Sequence, residues 1–418
     1  MKYFSRNSFV IVFSLIVVFI FVSQLLNGRL GMADFQVYHS ASKAFIAGDQ
    51  VYGKAFGLSS GFFKYSPFSL LVFAPLAMLP FAAAKVIYFF ILGGASLFCF
   101  LFLGKMVSRI FFGRLSFASQ LVPFLALAIT GSHLFRELSL GNVNMLLLFV
   151  FSWSFHLLLK DKQIPAGIWI AVGILIKPHF LLLLPLLLFR KKFKTLLAFG
   201  ITLLAGLLLP LIFKGFSGTL LLSRQWIQAM QAHNADMMDY PNTIYALLYK
   251  FPIRYLWPGA GREFVLALLV LIALLFLALL MGHLKREKTE SGPDEKEALE
   301  SGNFAFEYFF IIALIPNITA TDTEHFLFSL PLILFVFAYF LEFRFKAAAA
   351  GLLIISFFSY SSHGTDILGK PLADWSEQNG LCGLGNLIIL FCSLVLFRKR
   401  TTELIEKHHP GDGSQTMA

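Results

Sequence analysis

The polar residues that could do chemistry are few, and they interrupt a sequence that is otherwise strongly apolar. One of them is Asp34, which begins a segment where Asp34, Tyr38 and Phe45 recur at helical spacing. Gly48 follows as a suitable C-cap, so the pattern predicts a helix between Asp34 and Gly48. Asp34 has two interpretations: a cap for this helix, or a general base that accepts the proton of a substrate hydroxyl.

A second group is Lys177-Pro178-His179, which divides the apolar stretch 164–190 into two short halves. Charged side chains are costly at membrane depth, and a proline frees backbone groups that need polar surroundings. The motif favours a cationic break in which Lys177 and His179 bind an anionic head group such as a phosphate. A purely structural kink is the alternative interpretation.

Other polar residues stand next to apolar segments. Lys64 precedes a proline-bounded segment, where it either pairs with a lipid phosphate or simply extends to the membrane interface. Asn142 and Asn144 lie where another apolar helix begins, so they either cap it or hydrogen-bond sugar hydroxyls.

The last group is the turn that contains Asp322, Glu324 and His325. Two acids and a histidine suggest a metal site, but neither their spacing nor a partner cluster elsewhere supports one. An exposed acidic turn is the simpler interpretation. We therefore predict no metal and no cofactor.

Composition identifies the surroundings of these residues. Of 418 residues, 58% are hydrophobic and 14% are charged, and the mean hydropathy is +0.76. Soluble domains carry about 25% charged residues. The sequence therefore predicts an all-α polytopic membrane protein in contact with membrane lipids. The net charge of +11 is explained by basic cytoplasmic loops, and no nucleic-acid partner is expected.

A membrane helix needs about 20 apolar residues. Such stretches are predicted at 8–26, 84–105, 117–135, 142–159, 195–213, 262–284, 304–321, 324–342, 347–360 and 380–397. The stretch 164–190 is predicted to form two short helices that do not fully span. The segment 67–80 contains three prolines and suits a re-entrant or interfacial position. The result is a bundle of about twelve helices with both termini cytoplasmic.

Dense basic loops support this topology, because they all fall on the side of the N-terminus, as the positive-inside rule requires. They are Lys105/Arg109/Arg114, Lys160/Lys162, Arg190/Lys191/Lys192/Lys194, Lys285/Arg286/Lys288, Arg344/Lys346 and Arg398/Lys399/Arg400. The candidate residues named above then face outward, towards a catalytic cavity on the non-cytoplasmic side.

The predicted organisation follows. A membrane core covers 1–284, with outer loops 27–66 and 214–261, the latter containing an amphipathic helix near 219–232. A polar cytoplasmic linker covers 285–302, further membrane helices cover 303–400, and 401–418 forms a disordered cytoplasmic tail.

The order of several short motifs resembles glycosyltransferase family 87, within the C-type glycosyltransferase superfamily. The motifs are Asp34-Phe35-x-Val37-Tyr38, Gly48, Tyr52, Phe63-x-Tyr65-x-Pro67, Ala74-Pro75-Leu76, Leu79-Pro80, Gly141-Asn142-Val143-Asn144-x-Leu146-Leu147, Lys177-Pro178 and Arg190-Lys191-Lys192. The similarity covers roughly residues 8–345. The sequence departs from the family pattern at Ser66, where a second proline is usual, and at Asn142, where glutamine is commoner.

This resemblance implies an enzyme of the plasma (inner) membrane and cell envelope. It would transfer a sugar, typically mannose, from a polyprenyl-phosphate carrier to a lipid or glycan acceptor on the non-cytoplasmic face. The family's catalytic aspartate falls on Asp34, and its late histidine best matches His325. Tyr38, Asn142 and Asn144 would contact the sugar or acceptor, while Lys177, His179, Lys64 and Arg136 would meet the phosphate of an inverting reaction.

Two alternatives stay open at this point. The broken hairpin at Lys177 is also typical of a transporter's central site, so a polyprenyl-linked lipid flippase is possible, although no inverted repeat is visible. Within the enzyme class, another sugar such as arabinose could replace mannose.

Overall fold

The structure is a computed structural model. It describes residues 6–57, 61–113, 118–234, 240–250, 264, 267, 293–319, 322–343, 345–361 and 368–408. Within these ranges the chain is predominantly helical, with an isolated antiparallel bridge between Ala55 and Phe62. The span predicted at 262–284 and residues 409–418 of the predicted tail lie outside the described residues, apart from single positions.

The described residues of the N-terminal part form ten helices in sequence. They are α1 (Arg6–Leu26), α2 (Ala33–Ala47), α3 (Pro67–Ala77), α4 (Phe81–Phe112), α5 (Ala118–Leu140), α6 (Asn144–Leu159), α7 (Gln163–Ile176), α8 (Leu183–Phe189), α9 (Phe193–Leu208) and α10 (Leu211–Asn234). A 3₁₀ turn, Pro178–Leu182, separates α7 from α8. The predicted helix after Asp34 is thus confirmed, and Gly48 ends it with a φ of 86°.

The C-terminal part continues with α11 (Ile244–Leu248), α12 (Pro293–Ile318), a 3₁₀ helix (Thr323–Ser329), α13 (Leu330–Glu342), α14 (Lys346–Ser356), α15 (Lys370–Gln378) and α16 (Leu381–His408). One π-helical turn, Phe357–Ser361, extends α14. The centre of the bundle is α13, which is buried along almost its whole length. Phe335 of α13 packs against aromatic rings of α4, α12 and α16, so four helices meet at one side chain.

In the described part of the chain, six helical segments are long and apolar enough to cross a bilayer. They are Asn7–Leu26, Phe81–Phe112, Leu121–Leu140, Leu299–Ile318, Thr323–Glu342 and Leu381–Arg400. Large apolar side chains on the outside, such as Phe19 of α1 at 72% exposure, are compatible with lipid but not with water. The protein is an all-α polytopic membrane protein, as the sequence predicts.

Several predicted short elements are confirmed. The stretch 164–190 forms two short helical halves on either side of Lys177, and 67–77 forms a short helix with Pro75 inside it. The helix predicted near 219–232 lies within α10, which is bent by 87° from α9. The predicted loop 214–261 therefore begins as a helix.

Two segments predicted to lack regular structure are partly helical within the described residues. The polar linker 285–302 becomes helical from Pro293, because a proline and then Asp294 and Glu295 are favourable residues for a first helical turn. The tail predicted to be disordered from residue 401 continues as α16 to His408. The run of residues after Arg400 contains good helix formers such as Leu404 and Glu406, which extend a helix that is already nucleated.

The end of the bundle opposite Asp34 is held by arginines. Arg190 makes two hydrogen bonds to the carboxylate of Glu307, at 2.9 and 2.6 Å, and joins α8 to α12. Arg400 donates to backbone carbonyls at the end of α4, including that of Ile110 at 3.3 Å. Residues of the predicted basic loops thus tie neighbouring helices together at this end.

The close packing of α7 against α9 generates a stability prediction. A Cβ atom on Gly167 would lie 2.3 Å from the carbonyl oxygen of Thr195, whereas one on Gly200 would meet nothing within 4 Å. We expect Gly167→Ala to destabilise the protein by about 1–3 kcal/mol, since the backbones must separate. Thermal unfolding in detergent measures this, with Gly200→Ala as the matched control. Equal midpoints for the two variants would contradict the packing of α7 on α9.

Candidate active site

Asp34 lies in the first turn of α2, but it does not cap that helix. Met32 occupies the N-cap with left-handed backbone angles and no side-chain cap, and Asp34 is the acidic residue of the first turn. The Oδ2 atom of Asp34 instead accepts a hydrogen bond from Nδ2 of Asn142 at 2.8 Å. The carboxylate therefore faces the junction between α5 and α6, where other polar residues converge.

That junction approaches α2 closely because Gly141 lacks a side chain. Gly141 has a φ of 69°, and a Cβ atom there would lie 2.8 Å from atoms of both Met32 and Phe35. The next residues, Asn142 and Asn144, flank Val143, the N-cap of α6. Both asparagine side chains are buried, and each connects to a different charged group.

The orientation of the Asn142 amide is determined by its neighbours. Its Oδ1 accepts from the backbone N–H of Val143 at 2.7 Å, so Nδ2 must point the other way. Nδ2 donates to Asp34 and also to Oε1 of Glu324 at 3.2 Å. Asn142 thus holds two carboxylates that would otherwise repel each other.

Glu324 sits in the first turn of the 3₁₀ helix and is fully buried. Its Oε2 accepts from Nε of Arg136 at 2.8 Å. The Arg136 side chain is 50% exposed, whereas that of its partner Glu324 is fully buried.

Lys177 is the buried cation of the cluster. It adopts an extended conformation between α7 and the 3₁₀ turn, as expected for a residue before proline. Its Nζ donates to Oδ1 of Asn144 at 2.7 Å, contacts Nε2 of His325 at 2.6 Å, and lies 5.8 Å from the ring centre of Tyr65. All of these partners present electron-rich atoms or a ring face to the ammonium group.

The contact with Lys177 defines the tautomer of His325. An ammonium group only donates, so Nε2 of His325 must be the acceptor. Nδ1 then carries the proton and donates to the backbone carbonyl of Asp322 at 3.2 Å. The ring is neutral in this arrangement, and its 3.9 Å approach to Glu324 is not an ion pair. The hydrogen bond to the Asp34 carboxylate comes from Asn142, and His325 contacts Lys177 instead.

Glu137 and Glu324 belong to the site although they are not among the predicted site residues. The Glu137 carboxylate accepts from Nδ2 of Asn144 and from the backbone N–H of Met145, both at 2.9 Å, and is fully buried. The feature of the sequence that could have identified Glu137 is its position as an acidic residue near the end of an apolar helix, one turn before Gly141. We call these residues the polar cluster: Asp34, Arg136, Glu137, Asn142, Asn144, Lys177, Glu324 and His325.

The remaining predicted residues lie around this cluster or beyond it. The hydroxyl of Tyr38 is 2.9 Å from that of Tyr65, whose ring faces Lys177. Lys64 is partly buried, and its backbone carbonyl accepts from Nε1 of Trp226 on α10 at 3.2 Å. His179 packs its ring on Phe180 at 5.0 Å between centres, and the contacts that define the polar cluster do not include it.

The electrostatics favour a basic carboxylate at Asp34. Burial raises the pKa of Asp34 above its usual value, and Asp322 raises it further by like-charge repulsion. Lys177, the Asn142 hydrogen bond and Arg136 act in the opposite direction. Burial also lowers the pKa of Lys64, while Asp322 and Asp34 oppose that shift. The charge of Asp34 and the charge of Asp322 therefore both influence the protonation of Lys64.

The sequence model of glycosyltransferase family 87 matches residues 62–295, more than half of the chain. The chain belongs to glycosyltransferase family 87. The matched region contains Lys64, Arg136, Asn142, Asn144 and Lys177, whereas Asp34 and His325 lie on either side of it. The match is narrower than the 8–345 region over which the motifs resemble the family.

One curated relative of this family 87 chain is an alpha-(1->3)-arabinofuranosyltransferase from Corynebacterium glutamicum. The two sequences are 25% identical over 213 residues, which is 50% of this chain and 48% of the relative. The chain thus spans about half the length of the relative it matches.

The pairing of Arg136 with Glu324 generates a prediction that needs no substrate. In the family 87 chain, Arg136→Met leaves the fully buried Glu324 carboxylate without its cation. We expect a loss of about 2 kcal/mol, less than the roughly 3–5 kcal/mol of a fully buried pair because Arg136 is half exposed. Thermal unfolding of the purified protein measures the change.

Two further variants test that interpretation. Adding Glu324→Gln to Arg136→Met should recover part of the stability, because no unpaired charge remains buried. Lys192→Met is the control, since Lys192 pairs at 3.8 Å with Asp161, whose side chain is 78% exposed, and such pairs contribute little. A larger loss for Lys192→Met than for Arg136→Met would show that burial is not the cause.

Proposed function

We propose that this protein is an inverting glycosyltransferase that uses a polyprenyl-phosphate sugar, with mannose as the first choice, and a lipid or glycan acceptor. The observation that carries the proposal is the convergence of the Asp34 carboxylate and the Lys177 ammonium on the two asparagines that begin α6. A base for the acceptor and a cation for the leaving phosphate are thus supplied by one cluster. Family membership supports the reaction class.

In the proposed reaction, Asp34 accepts the proton of an acceptor hydroxyl while that oxygen attacks the anomeric carbon. The bond from the anomeric carbon to the phosphate oxygen breaks, and the electron pair leaves with polyprenyl phosphate. Because attack and departure occur on opposite faces in one step, the anomeric configuration inverts. Lys177 and the half-exposed Arg136 are the cations that would stabilise the negative charge of the departing phosphate.

We place this site on the non-cytoplasmic face of the plasma membrane, with both termini cytoplasmic. The chain reaches Asp34 immediately after α1, and the arginines of the basic loops meet at the opposite end of the bundle. The positive-inside rule assigns that basic end to the cytoplasm. A carrier lipid in the outer leaflet would then present its phosphate at the level of the polar cluster.

A second sugar has specific support, because the curated relative is named as an arabinofuranosyltransferase. Polyprenyl-phosphate arabinose is therefore the alternative donor. Purified protein supplied separately with labelled polyprenyl-phosphate mannose and polyprenyl-phosphate arabinose, and with a lipid extract as acceptor, distinguishes the two. Transfer from the arabinose donor alone would overturn the mannose assignment.

The role of Asp34 predicts the effect of Asp34→Asn. Loss of the general base should reduce sugar transfer by about 10²–10⁴-fold while binding of polyprenyl phosphate persists. The matched control is Asp49→Asn, because Asp49 is an exposed acid just beyond the other end of α2. Undiminished transfer by Asp34→Asn would exclude Asp34 as the base, whereas a lipid transporter would give no sugar transfer in wild type or in the variant.

The raised pKa of Asp34 predicts the acid side of the pH profile. A base acts only when deprotonated, so transfer should rise with pH through a pKa that lies above the usual 3.8. Asn142→Leu removes a hydrogen bond that lowers this pKa, and the acid limb should move to higher pH. Asp322→Asn removes a repulsion that raises it, and the limb should move to lower pH.

Added salt provides a control for the two predicted shifts of the pH profile. Asp322 is exposed, so added salt should weaken its effect, whereas the buried hydrogen bond from Asn142 is insensitive. Initial rates measured across pH at low and high ionic strength test both statements. Shifts of the same sign in the two variants would contradict Asp34 as the titrating group.

A further inference from the structure

We propose that Glu137 is a positioning residue which, through the amide of Asn144, aims the Lys177 ammonium at the phosphate of the donor. This inference rests on the proposed function and goes beyond it, because it assigns a role to a carboxylate that touches neither reactant. The chain of contacts runs from Glu137 to Asn144 to Lys177, with distances of 2.9 and 2.7 Å.

The orientation of the Asn144 side-chain amide is determined by its hydrogen-bond partners. Its two ends are chemically different, since Oδ1 only accepts and Nδ2 only donates. Glu137 only accepts when ionised, so it requires Nδ2 to face it, and Oδ1 is then forced towards Lys177. Glu137 therefore determines that Lys177 meets an acceptor rather than a donor.

The Glu137 carboxylate is itself held in a fixed position. Its other oxygen accepts from the backbone N–H of Met145, in the first turn of α6. A negative charge at a helix N-terminus is stabilised by the unpaired N–H groups and by the helix dipole. Both oxygens are thus committed, and the side chain is fully buried.

The Lys177 side chain has several rotatable bonds, so its ammonium group must be held in place by its neighbours. Asn144 and His325 hold Nζ from two sides, and both partners are neutral. A neutral cradle orients the ammonium without cancelling its charge, which leaves Lys177 able to attract the donor phosphate. The negative charge that balances Lys177 resides one residue farther away, on Glu137.

Replacing Glu137 by glutamine disturbs this arrangement without changing side-chain size. The new amide has one acceptor oxygen for two donors, the backbone N–H of Met145 and Nδ2 of Asn144. If the oxygen keeps Met145, the new NH₂ group faces Asn144, whose amide must turn and present its own NH₂ to Lys177. We expect Glu137→Gln to weaken binding of polyprenyl phosphate by about tenfold, the effect of one charge-assisted hydrogen bond.

The decisive variant exchanges the two functional groups. In Glu137→Gln combined with Asn144→Asp, the new amide can accept from Met145 and donate to the new carboxylate, which then accepts from Lys177. Every hydrogen bond is restored, so donor affinity should rise above that of Glu137→Gln; the recovery should be partial, because the new carboxylate is bonded directly to Lys177. A role of Glu137 as a simple helix cap does not predict such recovery, because the contact with Met145 is the same in the single and the exchanged variants.

The experiment measures binding of sugar-free polyprenyl phosphate to the purified full chain in lipid nanodiscs, together with donor and acceptor KM and kcat. The expected result is a raised donor Kd and donor KM for Glu137→Gln, an unchanged acceptor KM, and partial recovery in the exchanged pair. In a Lys177→Met background, Glu137→Gln should have no further effect on donor binding. Glu307→Gln is the matched control, because Glu307 is a buried carboxylate paired with Arg190 at the other end of the bundle.

The outcomes separate this inference from the proposed function. If wild type binds polyprenyl phosphate and Glu137→Gln binds it equally well, the positioning role is wrong and the donor assignment stands. A wild-type protein that does not bind polyprenyl phosphate overturns the donor assignment, and the positioning role with it. Should Glu137→Gln fail to fold, Asn144→Ala removes the same acceptor from Lys177, and undiminished donor binding in that variant also overturns the inference.

Discussion

A charged side chain inside a membrane protein is stable only when its neighbours replace the water it has lost. In this protein that constraint is met at the N-terminus of α6, where Asn142 and Asn144 stand on either side of Val143. Each asparagine joins one carboxylate to one further group of the site. The helices that carry Asp34, Lys177 and Glu324 must therefore meet at this one turn.

The rest of the fold can be understood from that requirement. Gly141 permits α2 to approach the turn, and the break at Lys177-Pro178 brings a lysine to the level where α6 begins. The 3₁₀ helix places Glu324 and His325 beside them, at the start of the most deeply buried helix of the bundle. At the opposite end of the bundle, arginines join the helix termini.

The sequence predicts local features well and pairings poorly. The helix after Asp34 and the break at Lys177 follow from spacing, from a terminating glycine and from a proline, all of which act within a few residues. Glu137 and Glu324 could not be assigned in this way, because their partners belong to other segments: Glu137 meets Asn144 across a glycine turn, and Glu324 meets Arg136 from a distant helix. The extension of α16 beyond Arg400 was missed because a polar composition suits an exposed helix as well as a disordered tail.

The arrangement of charges also bears on how a base and a cation can serve one reaction. A direct contact between Asp34 and Lys177 would form a salt bridge, which would lower the basicity of the carboxylate and partly neutralise the ammonium. The structure separates them by neutral amides, so that each group feels the other electrostatically without being bonded to it. Burial then increases the basicity of Asp34, and the neutral partners of Lys177 preserve its positive charge for an incoming anion. Two asparagines on either side of the α6 N-cap make this separation: Asn142 donates to Asp34, Asn144 accepts from Lys177, and neither amide is bonded to both charged groups.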